Sequence, residues 1–182
     1  MTNYADFTIK GLRTFQGLEG QGFNASLYCK GKKVAFVIDS ANGGDYEYQW
    51  VDYKEPSVTI NTRTYDGKPN TYKGTPCEKI LTEHSASLQP EDFEGTALLP
   101  NNDTILNNLV IKSLEDRDFK IKCKSKTLVI TADCKNHSYI QFKHPYGAGI
   151  KAHIEKKYGK KLVEIINERY TKTTNEECIK II

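Results

Sequence analysis

The chain has 182 residues, 38% of them hydrophobic and 27% charged, which fits one folded domain and argues against disorder. Its apolar runs fall short of the roughly 18 residues that a membrane span needs, and residues 1–6 lack the features of a secretion signal, so we expect no membrane segment and an intracellular protein. The 26 basic and 23 acidic side chains give a formal charge of +3, too small to indicate a nucleic-acid binder by itself.

The cysteine content argues against metal and disulfide chemistry. The five cysteines are odd in number and widely spaced, and no two of them form a CxxC pair, so neither a zinc knuckle nor a disulfide framework is expected. We interpret them as buried, reduced thiols of a reducing compartment. The sequence contains no catalytic or metal motif such as HExxH, and we therefore expect no metal, no cofactor and no enzymatic activity.

Residues 7–60 predict antiparallel strands. Apolar and polar residues alternate first, and a loop with three glycines follows at residues 17–22. Residues 23–29 again alternate, which is typical of a strand with one face on the core, and residues 33–39 contain a continuous apolar run of strand length. Because only a tight turn at residues 30–32 separates them, these two strands are predicted to pair as a hairpin.

A second glycine-rich loop is followed by an aromatic strand. Tyr46, Tyr48 and Trp50 alternate along that strand. Glycine lets another backbone or a ligand come close, and aromatic side chains beside such loops are good interface anchors. We therefore interpret Glu19, Asp45 and these three aromatic residues as a candidate partner-binding site. The alternative is a plain turn whose aromatic residues pack on the core.

The middle of the chain predicts two helices. Thr75 provides an N-cap, a proline and an N3 glutamate follow it, and apolar residues continue at helical spacing until Pro90 ends the helix. Residues 90–100 predict an irregular connection. Asn102 or Asp103 is then predicted to cap the second helix, which has an apolar stripe of its own.

The C-terminal residues predict a ββαβ arrangement. A lysine-rich segment, residues 120–126, alternates with less polar residues and is interpreted as the solvated face of a strand. The elements after it are strands at residues 127–131 and 139–142, a helix at 150–158 that Gly159 ends, and a strand at 161–167. Residues 171–182 are expected to form a polar tail with a small apolar end.

Together these elements predict an α+β protein with an antiparallel N-terminal β-sheet, two middle helices and a C-terminal ββαβ unit. We expect a single domain spanning residues 1–182. Its expected subdivisions are a β-meander at residues 1–74, a helical segment at 75–118 and the ββαβ unit at 119–182.

The basic charge is concentrated in the C-terminal half. Residues 1–100 carry a net charge of −3 and residues 101–182 a net charge of +6. A glycine-containing turn at the start of the predicted C-terminal helix offers free backbone amides, so the turn and nearby basic side chains are a candidate anion or nucleic-acid site. Its residues are His144, Gly147, Gly149, Lys151, Lys156 and Lys157. The alternative is a turn that simply requires glycine.

Two blocks of sequence carry a family resemblance. The first comprises residues 17–28, 31–35 and 43–44, and the second runs from residues 144–146 to residues 164–169. These blocks resemble small, uncharacterised proteins carried by bacteriophages and mobile elements. The resemblance implies a phage accessory protein in the cytoplasm of a bacterial host, and such proteins commonly bind and disable a host component.

Three functions are consistent with these features. The favoured one is a non-enzymatic protein that binds and inhibits a host defence or regulatory protein through the loops at residues 17–22 and 41–50. The alternative is nucleic-acid or nucleotide binding through lysines of the C-terminal half. These lysines are Lys122, Lys124, Lys126, Lys151, Lys156, Lys157, Lys160 and Lys161. A hydrolase of a nucleotide or sugar ranks third, because the sequence places no catalytic residues together.

Overall fold

The computed structural model describes residues 6–93, 96–135 and 138–171. The chain divides into two compact units, Met1–Ser113 and Leu114–Ile182, which we call the N-unit and the C-unit. The α+β class predicted from the sequence is confirmed, with helices and antiparallel strands in both units. None of the described helices has the length and apolar character that a membrane span requires.

A four-stranded antiparallel sheet forms the first part of the N-unit. Its strands are β1 (Phe7–Gln16), β2 (Gln21–Cys29), β3 (Lys32–Asp39) and β4 (Glu47–Trp50), paired in that order. The predicted hairpin between β2 and β3 is confirmed, and Leu27 and Val37 on these strands are fully buried. The first glycine loop is shorter than predicted, because residues 21 and 22 already pair with β1.

A second hairpin and helix α1 (Pro76–Ser87) follow the sheet. The hairpin consists of β5 (Val58–Arg63) and β6 (Pro69–Gly74). It packs against α1 through β5, whose Ile60 is fully buried. The predicted start of α1 is confirmed. The Thr75 hydroxyl accepts a hydrogen bond from the Glu78 amide, and the Glu78 carboxylate accepts one from the Thr75 amide, which is the reciprocal pair of a capping box.

The connection after α1 contains regular structure where an irregular stretch was predicted. Two short antiparallel strands, β7 (Glu91–Phe93) and β8 (Thr96–Leu98), pair within it. The prediction is wrong because three residues are too few to show the alternation by which a strand is recognised in a sequence.

Helix α2 (Asn102–Lys122) has a different cap from the predicted one. The Asn101 side-chain oxygen accepts a hydrogen bond from the Thr104 amide at 2.8 Å, so Asn101 caps the helix instead of Asn102 or Asp103. This leaves the Asp103 carboxylate available to side chains outside the helix. The boundary between the two units falls within α2.

Helix α2 also contains part of the segment that was predicted as a lysine-rich strand. It continues to Lys122. Ion pairs between Asp116 and Lys120 and between Asp118 and Lys122 join residues four positions apart, and such pairs stabilise a helix. The strand prediction is therefore wrong for residues 120–126: residues 120–122 belong to the helix, and residues 123–125 form a turn. Alternating lysines fit a strand, but the carboxylates four residues before Lys120 and Lys122 favour a helix.

The C-unit contains the predicted ββαβ arrangement. Its elements are β9 (Thr127–Thr131), β10 (Ile140–Phe142), α3 (Ala148–Tyr158), β11 (Leu162–Ile165) and α4 (Glu168–Thr171). β9 is the central strand, with β10 and β11 antiparallel on either side, and Val129, Ile154 and Ile165 form the core. Gly159 ends α3 with a φ of +48°, as predicted. Of the expected polar tail, residues 172–182 lie outside the described residues.

The cysteines that the structure describes are free thiols, and they are half-buried where buried thiols were predicted. Burial and the neighbouring Asp52 carboxylate raise the pKa of Cys77 to about 12. A thiol with so high a pKa stays protonated at neutral pH and is a poor nucleophile. The described cysteines are Cys29, Cys77, Cys123 and Cys134, and Cys178 lies outside the described residues.

Candidate protein-binding groove

An open groove of about 750 Å³ lies in the N-unit. Its lining comes from the start of β4, the β5–β6 hairpin, α1, the residues around β8 and the start of α2. Tyrosine and threonine are the commonest lining residues, and two carboxylates and one guanidinium contribute charge. The lining includes Asp45, Tyr46, Tyr48, Arg63, Tyr65, Tyr72, Leu98 and Asp103.

One wall of the groove is held by hydrogen bonds between the β4 region and the start of α2. The Tyr48 hydroxyl donates to Asp103 Oδ1 at 2.7 Å, and the Tyr46 amide donates to Oδ2 of the same carboxylate at 3.2 Å. The Tyr46 hydroxyl donates to Asn107 Oδ1 at 2.6 Å. Because charge-assisted hydrogen bonds are stronger than neutral ones, the Asp103 carboxylate is the main anchor of this wall.

Both tyrosines of the wall are neutral hydrogen-bond donors at physiological pH. Burial, followed by the nearby carboxylates of Asp39 and Asp103, raises the pKa of Tyr46 to about 12. Burial and the hydrogen bond to Asp103 raise the pKa of Tyr48 far above its ordinary value. A phenol with such a high pKa keeps its proton and is a poor general acid or base near neutral pH.

Aromatic packing supports the same wall. Trp50 stacks on Tyr48 with ring centroids 5.2 Å apart and an interplanar angle of 8°. Phe23 contacts Tyr46 edge-on, with centroids 5.1 Å apart. Aromatic pairs in these geometries contribute about 0.5–1.5 kcal/mol each beyond the burial of area. The wall is therefore rigid, because its two tyrosines are held through both their rings and their hydroxyls.

The β5–β6 hairpin and β8 supply the rim of the groove. Tyr72 is engaged, since its hydroxyl donates to Glu78 Oε1 at 2.8 Å. Tyr65, by contrast, is 98% exposed, and Leu98 is 50% exposed. The rim thus presents an unpacked aromatic ring and a half-exposed aliphatic side chain, and exposed apolar groups beside a cleft are typical of binding surfaces.

Arg63 places a positive charge in the lining, and helix α1 offsets it. One terminal nitrogen of Arg63 donates to the carbonyl oxygen of Leu88 at 2.9 Å and to that of Ser85 at 3.3 Å. These carbonyls lie at the C-terminal end of α1, where the helix dipole is equivalent to roughly half a negative charge. The Nε of Arg63 is buried and has no hydrogen-bond partner among the described residues.

Glu19 lies in the contact between the two glycine loops. Its backbone amide donates to the Ala41 carbonyl at 2.8 Å, and its carboxylate lies where a Cβ at Gly43 would stand. At Gly17, a Cβ would lie 2.5 Å from the Ala41 Cβ. The close contact between the loops therefore requires glycine at position 17, and at position 43 glycine is favoured by the backbone φ of +70°.

The structure brings together part of the predicted partner-binding set. Asp45, Tyr46 and Tyr48 line the groove, whereas Glu19 is not among the lining residues. Trp50 contacts the wall through its stack on Tyr48. Sequence reasoning missed the other lining residues, among them Tyr65, Tyr72, Leu98 and Asp103. Residues 61–74 are polar without a strand pattern, residues 90–100 were predicted to be an irregular connection, and an acidic residue near a helix start was interpreted as a cap.

The predicted anion-binding residues lie around the start of α3 in the C-unit. His144, Gly147 and Gly149 are exposed, and Gly147 precedes α3 without a side-chain cap. Lys151 is already paired, since its Nζ donates to Glu168 at 2.7 Å. The Glu168 carboxylate opposes the approach of a second anion, because like charges repel.

The lysines of the predicted nucleic-acid surface differ in their surroundings. The Nζ of Lys157 lies 5.2 Å from the ring centroid of Tyr158 and 5.6 Å from that of Phe142. Lys122 and Lys161 form ion pairs with carboxylates, which reduces the positive charge they offer to a phosphate. Lys124, Lys156 and Lys160 are exposed, and Lys126 is half-buried.

The groove offers hydroxyl, carboxylate and guanidinium groups for contact and hydrogen bonding. Within residues 6–93, 96–135 and 138–171, no group of three or more His, Cys, Asp or Glu side chains is placed to hold a metal ion.

Comparison of the chain with protein-family models, with curated proteins and with solved structures finds no match.

Proposed function

We propose that the protein is a non-enzymatic binding protein that captures a partner protein in the groove of the N-unit. The partner we favour is a host defence or regulatory protein that the capture inhibits in the cytoplasm of a bacterial host, because this is the role that the resemblance to phage proteins implies. The observation that carries the proposal is the combination of a rigid, hydrogen-bonded wall and an exposed apolar rim on one groove.

The rim supports a macromolecular guest. Tyr65 is almost fully exposed and Leu98 is half-exposed. Fully burying a large apolar side chain contributes about 1.5–3 kcal/mol, and tyrosine is enriched among the residues that dominate protein interfaces. A small molecule inside the groove leaves the outward-facing Tyr65 ring uncovered, whereas a protein surface seated on the rim buries it.

The wall supports recognition more than catalysis. Asp103 accepts hydrogen bonds from both Tyr46 and Tyr48, so these side chains are ordered before a partner arrives. A surface that is ordered in advance loses little conformational entropy on binding. The high pKa of both phenols also makes them poor proton-transfer groups, which counts against the hydrolase interpretation.

The double variant Tyr65→Ala/Leu98→Ala tests the proposal. Both side chains are exposed at the rim, so the variant is expected to fold as the wild-type chain does. Each form is immobilised and used to capture proteins from nuclease-treated bacterial lysate, and the captured proteins are identified by mass spectrometry. We expect the variant to capture at least about tenfold less of a partner that binds the wild-type protein, because it lacks two interface anchors.

The matched control is Tyr53→Ala/Leu18→Ala. It also removes an exposed tyrosine and an exposed leucine of the N-unit, but neither residue lines the groove. We expect capture to be unchanged with this control. Equal capture by the wild type and by Tyr65→Ala/Leu98→Ala contradicts the proposal, and selective loss with the control moves the contact surface out of the groove to Leu18 or Tyr53.

A second candidate function, nucleic-acid binding by the C-unit, is favoured by one observation. Lys156 and Lys157 lie in the last turn of α3, and Lys160 lies in the turn directly after it. Phosphate contacts of this kind release counterions, so affinity falls steeply as the salt concentration rises. A band shift at about 50 mM salt is the expected result, and its absence rules this candidate out.

The variant Gly147→Asp tests whether the start of α3 takes part in this binding. Gly147 has extended backbone angles, φ −175° and ψ 175°, and precedes α3 without a side-chain cap. Aspartate there is expected to cap the helix and stabilise it by about 1 kcal/mol, while its charge repels a phosphate at the helix start. A more stable protein with unchanged nucleic-acid affinity shows that the start of α3 takes no part in binding.

A further inference from the structure

We infer that the groove receives an arginine side chain, so that the segment of the partner seated in it is basic. This inference rests on the proposed function and specifies the chemistry of its guest. It depends on three features of the lining: a carboxylate available to a guest, a positive charge that is already offset, and neutral aromatic rings.

The lining offers more available negative charge than positive charge. Asp45 is exposed in the lining, and no hydrogen bond or ion pair engages its carboxylate within the described residues. Asp103 adds a second carboxylate, which holds the two tyrosines of the wall. The opposing charge, Arg63, is turned to the carbonyls at the end of α1. A cation that enters the groove is therefore attracted, and an anion is repelled.

The tyrosine rings of the groove offer faces to a flat cation. Tyr46, Tyr48, Tyr65 and Tyr72 all line it. A cation within about 6 Å of an aromatic centroid is attracted to the ring, and more strongly when it is desolvated. Because the rings of Tyr46 and Tyr48 are already fixed by packing and hydrogen bonds, a guest gains this interaction without ordering them.

These features favour arginine over lysine. A guanidinium is planar, so it stacks on a ring while it donates two parallel hydrogen bonds to a carboxylate, which an ammonium group cannot do. The groove volume of about 750 Å³ exceeds that of one side chain and leaves room for backbone on either side of it. The expected guest is therefore an arginine-bearing segment and not the free amino acid.

Trp50 provides the readout for a binding experiment with the full-length chain. It is the one tryptophan of the sequence, and it stacks on Tyr48 in the wall of the groove. The probe is a seven-residue peptide in which arginine alternates with glycine, and its matched control carries the neutral isostere citrulline in place of each arginine. We expect a saturable change in Trp50 fluorescence with the arginine peptide and binding at least about tenfold weaker with the citrulline peptide, because the guest charge is lost.

Two single variants locate the charge that the peptide contacts. Asp45→Asn removes a carboxylate from the lining, and we expect it to weaken binding of the arginine peptide about two- to fivefold, as for one partly exposed ion pair. Glu47→Gln removes the same charge two residues along, from an exposed position of β4 outside the lining. Neighbouring side chains of a strand point to opposite faces, so Glu47 faces away from the side on which Tyr48 lines the groove, and Glu47→Gln is expected to leave the affinity unchanged.

Three results overturn the inference. They are equal affinities for the arginine and citrulline peptides, no fluorescence change with either peptide, and equal effects of Asp45→Asn and Glu47→Gln, which indicate attraction by overall charge alone. The proposed function is judged separately by capture with Tyr65→Ala/Leu98→Ala. If the groove binds an uncharged segment of the partner, the arginine and citrulline peptides do not differ, but Tyr65→Ala/Leu98→Ala still reduces capture of the partner.

Discussion

The Tyr48 hydroxyl donates a hydrogen bond of 2.7 Å to Asp103, a residue 55 positions later in the chain. This bond joins β4 to the first turn of α2, and the second oxygen of the same carboxylate accepts the Tyr46 amide. Two segments that are remote in the sequence therefore meet at one side chain. The position of the groove wall depends on that carboxylate.

A double-mutant cycle on Tyr48→Phe and Asp103→Ala measures this link. Asp103→Ala leaves two donors without their acceptor, and we expect it to lower the free energy of unfolding by about 1.5–3 kcal/mol. Tyr48→Phe removes only the hydroxyl and is expected to cost less. Urea unfolding of the four proteins should give a coupling energy of about 1 kcal/mol, whereas effects that add within about 0.5 kcal/mol show that the two residues are independent.

Asn167 has a comparable role in the C-unit. It is 2% exposed, its Oδ1 accepts from the Leu128 amide at 2.9 Å, and its Nδ2 donates to the carbonyls of Lys126 at 2.8 Å and Cys123 at 3.3 Å. Asn167→Ala leaves these backbone groups without their partner, and we expect the free energy of unfolding to fall by about 3 kcal/mol. A loss below about 1 kcal/mol in urea unfolding contradicts this role.

Local patterns in the sequence predicted those parts of the fold that local chemistry determines. The β2–β3 hairpin follows from period-two alternation before a tight turn and a continuous apolar run after it, and the start of α1 follows from the Thr75–Glu78 capping box. The end of α2 was mispredicted because lysines at alternate positions fit a strand, while their pairing with carboxylates four residues earlier favours a helix.

Asp52 links the stability of the N-unit to pH. It is 8% exposed, and its Oδ2 accepts the Cys77 amide at 2.6 Å. Burial raises the pKa of Asp52, but hydrogen bonds from Cys77 and Thr75 outweigh burial and hold the pKa below its ordinary value. Such a carboxylate stabilises the fold above its unfolded pKa of about 3.9, and this contribution is lost as the pH falls through the lower folded pKa.

We therefore predict that Asp52→Asn lowers the free energy of unfolding by about 1–2 kcal/mol at pH 7. Below about pH 4, the difference in free energy of unfolding between the variant and the wild type should become smaller. Urea unfolding of both proteins at pH 7 and at pH 3 measures this difference. Glu47→Gln, which changes an exposed carboxylate of β4, is the control and should shift stability by less than about 0.5 kcal/mol. A difference between Asp52→Asn and the wild type that stays constant or grows in acid contradicts the prediction.

Gly17 is required for close contact between the glycine loops. A Cβ there would lie 2.5 Å from the Ala41 Cβ and 2.9 Å from the Ser40 carbonyl oxygen, so we expect Gly17→Ala to lower the free energy of unfolding by about 1–3 kcal/mol. At Gly149, in the first turn of α3, a Cβ meets open space. Gly149→Ala is expected to be neutral or stabilising by up to about 1 kcal/mol. Thermal unfolding in which Gly17→Ala is as stable as Gly149→Ala disproves the packing argument.

The groove could be predicted only in part, because folding assembles it from segments that carry no shared pattern. Tyr46 and Tyr48 stood out as alternating aromatic residues beside a glycine loop. Aspartate is common at helix starts, and nothing in the sequence around Asp103 indicates that its carboxylate bonds to residues 55 and 57 positions earlier. Tyr65 lies in a polar turn, where a single aromatic residue has no periodicity to indicate its exposure.

Whether the groove binds a protein is tested most directly by photocrosslinking in bacterial cells. A p-benzoylphenylalanine in place of Tyr65 puts a photoreactive ring on the rim, and the same residue in place of Tyr53 puts it on an exposed site outside the groove. We predict a covalent adduct with one protein from position 65, no such adduct from position 53, and loss of the position-65 adduct when Leu98→Ala is added. No adduct from position 65, or the same adduct from both positions, would contradict the account.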